Sequence, residues 1–148
     1  MEKFILSNMK QKNFSKAVNE IYLTTDYNHK QYQKYCQWFY QKSIPRIFTG
    51  TGEVFFYLDG LTIVALSILK RDVDEKKICT LLVSEEFRKK GLSHLLLEDS
   101  FKFLGTDKPL ITISSNIVEQ FYPIIAAYDW KESSRTNQYL SEEIIFNQ

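Results

Sequence analysis

The sequence has few of the residues that would mark a disulfide-stapled, fibrous or strongly charged protein. Its two cysteines, Cys36 and Cys79, cannot form a disulfide framework. Five glycines and three prolines among 148 residues are too few for a fibrous or linker-rich chain. Positive and negative charges nearly cancel, with 19 Lys and Arg against 18 Asp and Glu. The global charge therefore gives no case for binding nucleic acid or a membrane surface.

Two further absences concern location. No apolar run approaches the ~18 residues that a membrane span needs, and residues 1–12 lack the apolar core and cleavage signal of a secretory peptide. The composition, 44% hydrophobic and 25% charged, is typical of a globular domain that needs no disulfides or metal to fold. We therefore expect one domain over residues 1–148, in the cytoplasm, with no nucleic-acid or membrane partner.

The hydrophobic patterning predicts a mixed α/β (α+β) layered structure. Helices are expected over 14–22 and 32–39, with Pro45 closing the second. Strands are expected over 54–58 and 61–69 around an Asp59–Gly60 hairpin turn, over 78–83, over 110–114, near 130 and over 136–146, with helices over 92–104 and 117–128. Because the run over 78–83 is apolar on both faces, it should be a central strand. Asn116 and Glu119 resemble a helix cap, and Pro123 should kink the helix that follows.

A basic loop ends on Gly91, directly before the predicted helix over 92–104. A helix start has unpaired backbone N–H groups and partial positive charge, and a glycine there lets a phosphate approach closely. Arg88, Lys89 and Lys90 add side-chain charge, so the loop suits a pyrophosphate. The alternative is a solvated turn, the usual role of three basic residues in front of a helix. Cations are unfavourable at this end of a helix, and that misplacement is itself an argument for function.

The run Val83 to Ser93, VSEEFRKKGLS, resembles the acyl-CoA-binding motif of the GNAT superfamily of N-acyltransferases. That motif reads V-x-x-x-x-[RQ]-x-x-G-x-[GA]. Val83, Arg88 and Gly91 match it, whereas Ser93 departs from the usual Gly or Ala. The predicted order of elements also follows the family along the chain. The resemblance implies a central, mostly antiparallel sheet of about six to seven strands flanked by about four helices.

The resemblance also implies a site for acetyl-CoA as cosubstrate. The loop before the helix would offer N–H groups to the pyrophosphate, and the central strand would pair with the pantetheine arm as with an added strand. A backbone N–H near Leu81 or Leu82 would polarise the thioester carbonyl. The cosubstrate-binding residues implied are Leu81, Leu82, Val83, Arg88, Lys89, Lys90, Gly91, Leu92, Ser93 and Asn116.

The implied reaction is direct attack of a primary amine on the thioester, which needs a base for the amine and an acid for the departing thiolate. The family often takes the acid from a tyrosine on its last helix, so Tyr122 is the expected catalytic residue and Tyr128 the second choice. In some relatives a glutamate acts as the general base at the position where this chain has Lys76-Lys77. Nearby acids such as Glu53 and Asp72 are more often solvated turn residues. The general base is therefore not identified.

Two alternatives to this enzyme stay open. One is a catalytically silent GNAT-like module that binds acyl-CoA or a protein partner, and the other is a phosphate-binding α/β domain of a different fold. If the chain is an enzyme, its acceptor is a small-molecule or peptide amine. The family's final strands often support a homodimer.

The remaining polar and aromatic residues give weaker evidence for a functional site. His29 and His94 lie near no cysteine at ligand spacing, so no metal site is predicted. The aromatic stripe of Tyr32, Tyr35 and Phe39 is typical of a core, although its exposed neighbours could line an acceptor pocket.

Overall fold

The described residues build a mixed α/β structure around one seven-stranded sheet. This computed structural model describes residues 1–26, 34–137 and 141–148. The strands are β1 (Glu2–Ile5), β2 (Gly52–Asp59), β3 (Thr62–Arg71), β4 (Lys76–Val83), β5 (Leu110–Ser114), β6 (Glu132–Thr136) and β7 (Glu143–Phe146). Their order in the sheet is β1-β2-β3-β4-β5-β7-β6, and every neighbouring pair is antiparallel except β4 with β5. The predicted fold class is confirmed.

Helices cover both faces of this sheet. They are α1 (Gln11–Thr25), α2 (Tyr35–Trp38), α3 (Pro45–Thr49), α4 (Leu92–Leu104) and α5 (Tyr122–Ala127). Short 3₁₀ turns at Leu6–Asn8, Glu85–Phe87 and Val118–Phe121 complete the set. None of the helices in the described ranges is long and apolar enough to cross a membrane.

The second helical region differs from its prediction at Pro45. A π-helical turn, Phe39–Ser43, joins α2 to α3, and Ile44 N–H donates to Phe39 O at 3.0 Å. Pro45 then stands at the first turn of α3 and begins a helix instead of ending one. Proline fits that position because its missing N–H would have no helical partner there. Tyr32 of the predicted stripe lies outside the described residues.

The centre of the chain folds as the sequence predicts. β2 and β3 form a hairpin through Asp59 and Gly60, with Gly60 in the left-handed region (φ 64°). β4 is covered on both faces, since Leu81 and Val83 lie in one core and Leu82 packs against the other. This is the covered central strand that the apolar run predicted.

Two predictions about the start of α5 are wrong. The side chain of Asn116 does not cap the 3₁₀ turn, which begins at Val118 with Ile117 as its N-cap residue and no side-chain cap bond. The Asn116 N–H instead donates to Ser114 Oγ at 3.3 Å. Pro123 does not kink the helix, because the helix begins at Tyr122 and proline occupies its first turn.

Two hydrophobic cores lie on opposite faces of the sheet. The first, called here the α4-side core, includes Leu96 and Leu97 of α4 with Ile113 of β5. The second, the α1-side core, includes Ile21 of α1 and Leu66 of β3. Each core buries the apolar stripe of its helices, and this burial is the main source of stability.

Candidate functional site

β4 is paired very differently along its two edges. Toward β3 it is paired from its first residue, Lys76, to its last, Val83. Toward β5 the parallel pairing covers Lys77 and Ile78 and ends there. No described strand pairs with that edge over residues 79–83. Its backbone groups therefore face a gap, which begins after Ile78 and continues toward the carboxyl ends of both strands.

An extra residue in β4 lies where the gap begins. Ile68 of β3 faces Thr80 and Leu69 faces Ile78, which leaves Cys79 as a β-bulge. Cys79 packs against the α1-side core, and burial raises the pKa of its thiol. A thiol with a raised pKa stays protonated at neutral pH and is a poor nucleophile. Cys79 is only partly buried, whereas a small buried residue was predicted.

The start of α4 offers unpaired donors to a ligand. Gly91 is its N-terminal cap residue, with φ +80° and no side-chain cap bond. Leu95 is the first residue whose N–H reaches back into the helix, to Gly91 O at 3.3 Å. The N–H groups of Leu92, Ser93 and His94 therefore have no acceptor within the helix. A Cβ at Gly91 would meet nothing within 4 Å, so the space beside this residue is open.

Arg88 braces this loop, and its two neighbours supply exposed charge. The Arg88 side chain donates through Nε to the carbonyl of Val83 at 2.9 Å, which ties the loop to the end of β4. Lys89 and Lys90 are exposed, and Lys90 Nζ lies 5.3 Å from the ring centroid of Phe87. Arg88 thus holds the loop in shape, while the two lysines leave positive charge beside the open start of α4.

Asn116 and Tyr122 follow β5 at the end where the gap is open. Asn116 is exposed and lies two residues beyond the end of β5. Tyr122 is the first residue of α5 and is 56% exposed. Because β4 and β5 run parallel, their carboxyl ends lie on the same side of the sheet, which is also where α4 begins.

Tyr128, the second candidate acid, is engaged elsewhere. Its hydroxyl lies 2.9 Å from His94 Nδ1, and its ring packs edge-on against Phe101 with centroids 4.9 Å apart. Burial raises the pKa of Tyr128, with the negative charges of Glu98 and Asp107 adding to the effect. Its contacts are thus with the α4 side chains of His94 and Phe101 and with Trp130.

The adjoining strands β5 and β7 have one apolar face and one polar face. Ile113 and Ile144 lie opposite each other and belong to the α4-side core. Ser114 and Glu143 also lie opposite each other, and by alternation they face the other way. Ser114 Oγ and Ser141 Oγ are 2.8 Å apart, and Glu143 is completely buried at 0% exposure. A fully buried carboxylate was not predicted, because its burial depends on this pairing.

Comparison with solved structures decides the fold. No protein-family model matches the sequence, and no curated protein matches it either. A GNAT-family protein from Desulfovibrio desulfuricans superposes with a TM-score of 0.62 at 8% identity, covering 98% of this chain and 97% of its own. The ribosomal-protein-S18-alanine N-acetyltransferase from Escherichia coli gives 0.55 at 13% identity, covering 98% and 92%. A GNAT family acetyltransferase from Elizabethkingia anophelis with acetyl-CoA bound gives 0.51 at 18% identity, covering 71% and 80%. The chain has the GNAT fold.

The GNAT fold brings most of the predicted donor-site residues to one end of the sheet. The strand residues Leu81, Leu82 and Val83 lie along the bare edge of β4. The loop and helix residues Arg88, Lys89, Lys90, Gly91, Leu92 and Ser93 follow directly, and Asn116 and Tyr122 follow β5 at the same end. Tyr35 and Phe39 are buried in the α1-side core, as expected of a core stripe.

The acids that the sequence offered as bases lie elsewhere in the GNAT fold. Glu53 is buried and is not a solvated turn residue, since its Oε1 accepts from the N–H groups of Ser7 (3.1 Å) and Val54 (3.0 Å). Asp72 belongs to the turn before β4, at the opposite end of that strand from the gap. Within the described ranges, no group of three His, Cys, Asp or Glu side chains is placed to hold a metal ion. His29 lies outside the described residues.

Proposed function

We propose that the protein is an N-acetyltransferase of the GNAT superfamily that moves an acetyl group from acetyl-CoA to a primary amine in the cytoplasm. The observation that carries the proposal is the bare edge of β4, which leads directly into the glycine-led start of α4. An unpaired strand edge accepts an extended, amide-containing arm, and an uncapped helix start accepts phosphate. Acetyl-CoA contains both groups in one molecule.

The residues at this end of the sheet fit the cosubstrate. The open space in front of Gly91 admits a phosphate, and the N–H groups of Leu92 and Ser93 would donate to it. Lys89 and Lys90 would add charge from the surface. The strand residues 81–83 would pair with the pantetheine arm, and Asn116 would hold it from the side of β5. Acetyl-CoA would supply the activated acetyl thioester.

Tyr122 is the proposed acid for the leaving thiolate. It stands at the first turn of α5, beyond the end of β5, and 56% of it is exposed. A phenol on the open side of the gap can donate a proton to sulfur as the carbon–sulfur bond breaks. The hydroxyl of Tyr128 has His94 as its neighbour instead, which supports Tyr122 over Tyr128.

The acceptor class is a primary amine on a small molecule or a peptide. One structural neighbour is named for a protein acceptor, the alanine of ribosomal protein S18, and another holds acetyl-CoA. At 13% and 18% identity these neighbours support the donor and the reaction type, not a particular acceptor.

A catalytically silent module remains the second candidate. The start of β4 carries Lys76 and Lys77 instead of a carboxylate, so no base stands at that position. If the protein is such a module, it binds acetyl-CoA but transfers no acetyl group.

A thermal-shift series with acetyl-CoA, CoA, ATP and NAD tests the donor site first. A ligand at 100 times its Kd stabilises the folded state by about 2.7 kcal/mol. For a chain of this size that corresponds to a rise in Tm of roughly 5–10 °C. We expect the rise with acetyl-CoA and CoA alone. A rise only with ATP or NAD would contradict the donor assignment.

A transfer assay with a broad amine panel then separates the two candidates. Release of free thiol that depends on an added amine, with a matching acetylated product, supports the enzyme. A clear shift in Tm with acetyl-CoA but no product from any amine supports the silent module.

A further inference from the structure

A row of three cations crosses one face of the sheet at the start of β4. Lys77 pairs with Lys70 of β3, and Lys70 pairs with Gly52 of β2. Arg46 of α3 packs against Gly52, since a Cβ at Gly52 would lie 2.6 Å from Arg46 Cβ. The neighbouring Ile47 packs against the α1-side core, so the row lies on that face. Residues that pair across strands face the same side, and the three charged side chains are therefore neighbours.

Acids of the described residues neutralise one of these cations and leave two without a partner. Lys70 Nζ lies 2.9 Å from Glu75 Oε1 and 3.6 Å from Asp72 Oδ2. Arg46 and Lys77 are half-buried, and no described residue gives either side chain a hydrogen-bond acceptor or an ion pair. Like charges repel each other, and partial burial removes some of the water that would screen them. The row therefore carries an excess of positive charge that an anion would relieve.

This positive charge extends to the inner end of the gap. Burial raises the pKa of the Cys79 thiol, and nearby positive charges act against that rise. These charges belong to Lys77, Arg46 and Lys70, so the row lies close to the thiol. The pairing of β4 with β5 ends at Ile78, which makes Cys79 the first residue beside the gap. Lys77 lies two residues earlier, about 7 Å along the strand.

The inner end of the gap is where an acceptor would meet the acetyl group. In the function proposed above, the phosphates bind at the start of α4 and the pantetheine arm follows the edge of β4 away from them. The thioester, at the far end of the arm, would then lie toward the bulge at Cys79. Lys77 faces the same side of the sheet as Cys79 and is partly exposed. A second group on the acceptor can therefore reach Lys77 while the amine is at the thioester.

We propose that the acceptor is an amine that also carries a carboxylate, and that Lys77 and Arg46 bind this carboxylate. The proposal rests on the function proposed above and narrows its substrate class. An ammonium and a guanidinium both donate charge-assisted hydrogen bonds to a carboxylate. The same two charges repel an acceptor that carries a second ammonium group. The best acceptor is therefore an amino carboxylate, followed by a monoamine with a neutral tail and then by a diamine.

The first test compares three amines with the same number of carbons, δ-aminovalerate, n-pentylamine and cadaverine. For the wild type we expect kcat/KM to be about tenfold higher with δ-aminovalerate than with n-pentylamine, the usual effect of a hydrogen bond to a charged group. Cadaverine should be the poorest of the three. Lys77→Gln and Arg46→Gln should each remove most of this preference, and Lys77→Glu should reverse it in favour of cadaverine.

Lys76→Gln is the matched control. It removes the same charge from the adjacent residue, which is exposed and by alternation faces the other side of the sheet. Its order of preference should equal that of the wild type. Lys77→Gln kinetics that match those of Lys76→Gln for every amine would overturn the inference. So would a wild type that prefers n-pentylamine or cadaverine, and that result would leave the acetyltransferase itself in place.

Binding of glutarate to the CoA-saturated protein provides a measurement that does not depend on turnover. Isothermal titration should show binding to the wild type and to Lys76→Gln, and binding about tenfold weaker to Lys77→Gln. Inorganic phosphate is titrated in parallel, and tighter binding of phosphate than of glutarate would overturn the carboxylate assignment. No product from the wild type with any amine would overturn the proposed function. Glutarate binding that does not depend on Lys77 would overturn this inference alone.

Discussion

The two edges of β4 differ in what they contribute to the molecule. Toward β3 the strand is hydrogen-bonded along its whole length, and the side chains of that ladder fill both cores. Toward β5 it is bonded at Lys77 and Ile78 and is bare afterwards, as far as the described residues extend. Backbone groups left unpaired in this way must find partners in water or in a ligand. The paired edge therefore contributes to stability, and the bare edge is where the proposed cosubstrate would gain hydrogen bonds.

The largest expected effect comes from filling the space at the end of the bare edge. Gly91→Leu puts a side chain into the open space beside Gly91, at the start of α4. We expect acetyl-CoA binding to weaken by at least about 1,000-fold, or about 4 kcal/mol. Isothermal titration measures the loss directly.

Gly105→Leu is the matched control for this variant. Gly105 also has a left-handed conformation, with φ 77° and nothing within 4 Å of its Cβ position, but it ends α4 instead of beginning it. Both substitutions should cost roughly 1–2 kcal/mol of stability, because the same backbone strain is imposed. Equal acetyl-CoA affinity in the two variants would remove the start of α4 from the donor site.

A smaller effect is expected at Tyr122, the proposed acid. Tyr122→Phe removes the proton donor but leaves the donor site, so kcat should fall about 100-fold while the Kd for acetyl-CoA stays within about twofold. Tyr128→Phe removes a hydroxyl of the same kind that faces His94, and its kcat should stay close to that of the wild type. Steady-state kinetics on both variants measures the contrast. If Tyr128→Phe is the slower of the two, the assignments exchange.

The smallest effect is expected on the paired edge, in the turn that joins β3 to β4. There the N–H groups of Asp74 and Glu75 donate to Asp72 Oδ1 at 3.0 and 2.8 Å, and the first of these bonds is the main reason that the pKa of Asp72 lies below its usual value. Because the pKa is lowered on folding, the ionised carboxylate stabilises the fold above the unfolded-state pKa of 3.8. This stabilisation is lost as the pH falls through the folded-state pKa.

Asp72→Asn should therefore be slightly less stable than the wild type at neutral pH. The difference should disappear in acid, below pH 3.8. Asp74→Asn, which removes the same charge from a side chain that accepts neither of these bonds, is the control. Urea unfolding over a pH series checks this, and acetyl-CoA affinity should not change in either variant. A difference that persists unchanged in acid would exclude the carboxylate as its cause.

Local signals predicted the elements whose cause is local. The Asp59–Gly60 turn, the doubly apolar run of β4 and the glycine before α4 each act within a few residues. β1 was missed from its residue pattern, because its four residues have no buried side chain to reveal their period. Pro45 and Pro123 were misplaced because a proline at a helix start and one at a helix end look alike in sequence.

The candidate site also has a part that depends on local sequence and a part that depends on long-range pairing. The proposed donor-site residues from Val83 to Ser93 are contiguous, so one motif contained them. The end of the β4–β5 pairing after Ile78 is a long-range feature, and no residue in either strand announces it. Glu143 follows Glu142 directly, and nothing in the sequence tells which of the two is buried. Only the register of β7 against β5 separates them.

The bulge at Cys79 makes β4 one residue longer than its pairing with β3 requires. The ladder to β3 does not need Cys79, because Ile78 and Thr80 already face consecutive residues of that strand. Deleting Cys79 would leave that ladder regular and straighten β4, since a bulge bends its strand and increases its twist. We expect a straight β4 to continue its parallel pairing with β5 beyond Ile78, which would close the gap. We therefore expect position 79 to tolerate a change of side chain better than its removal.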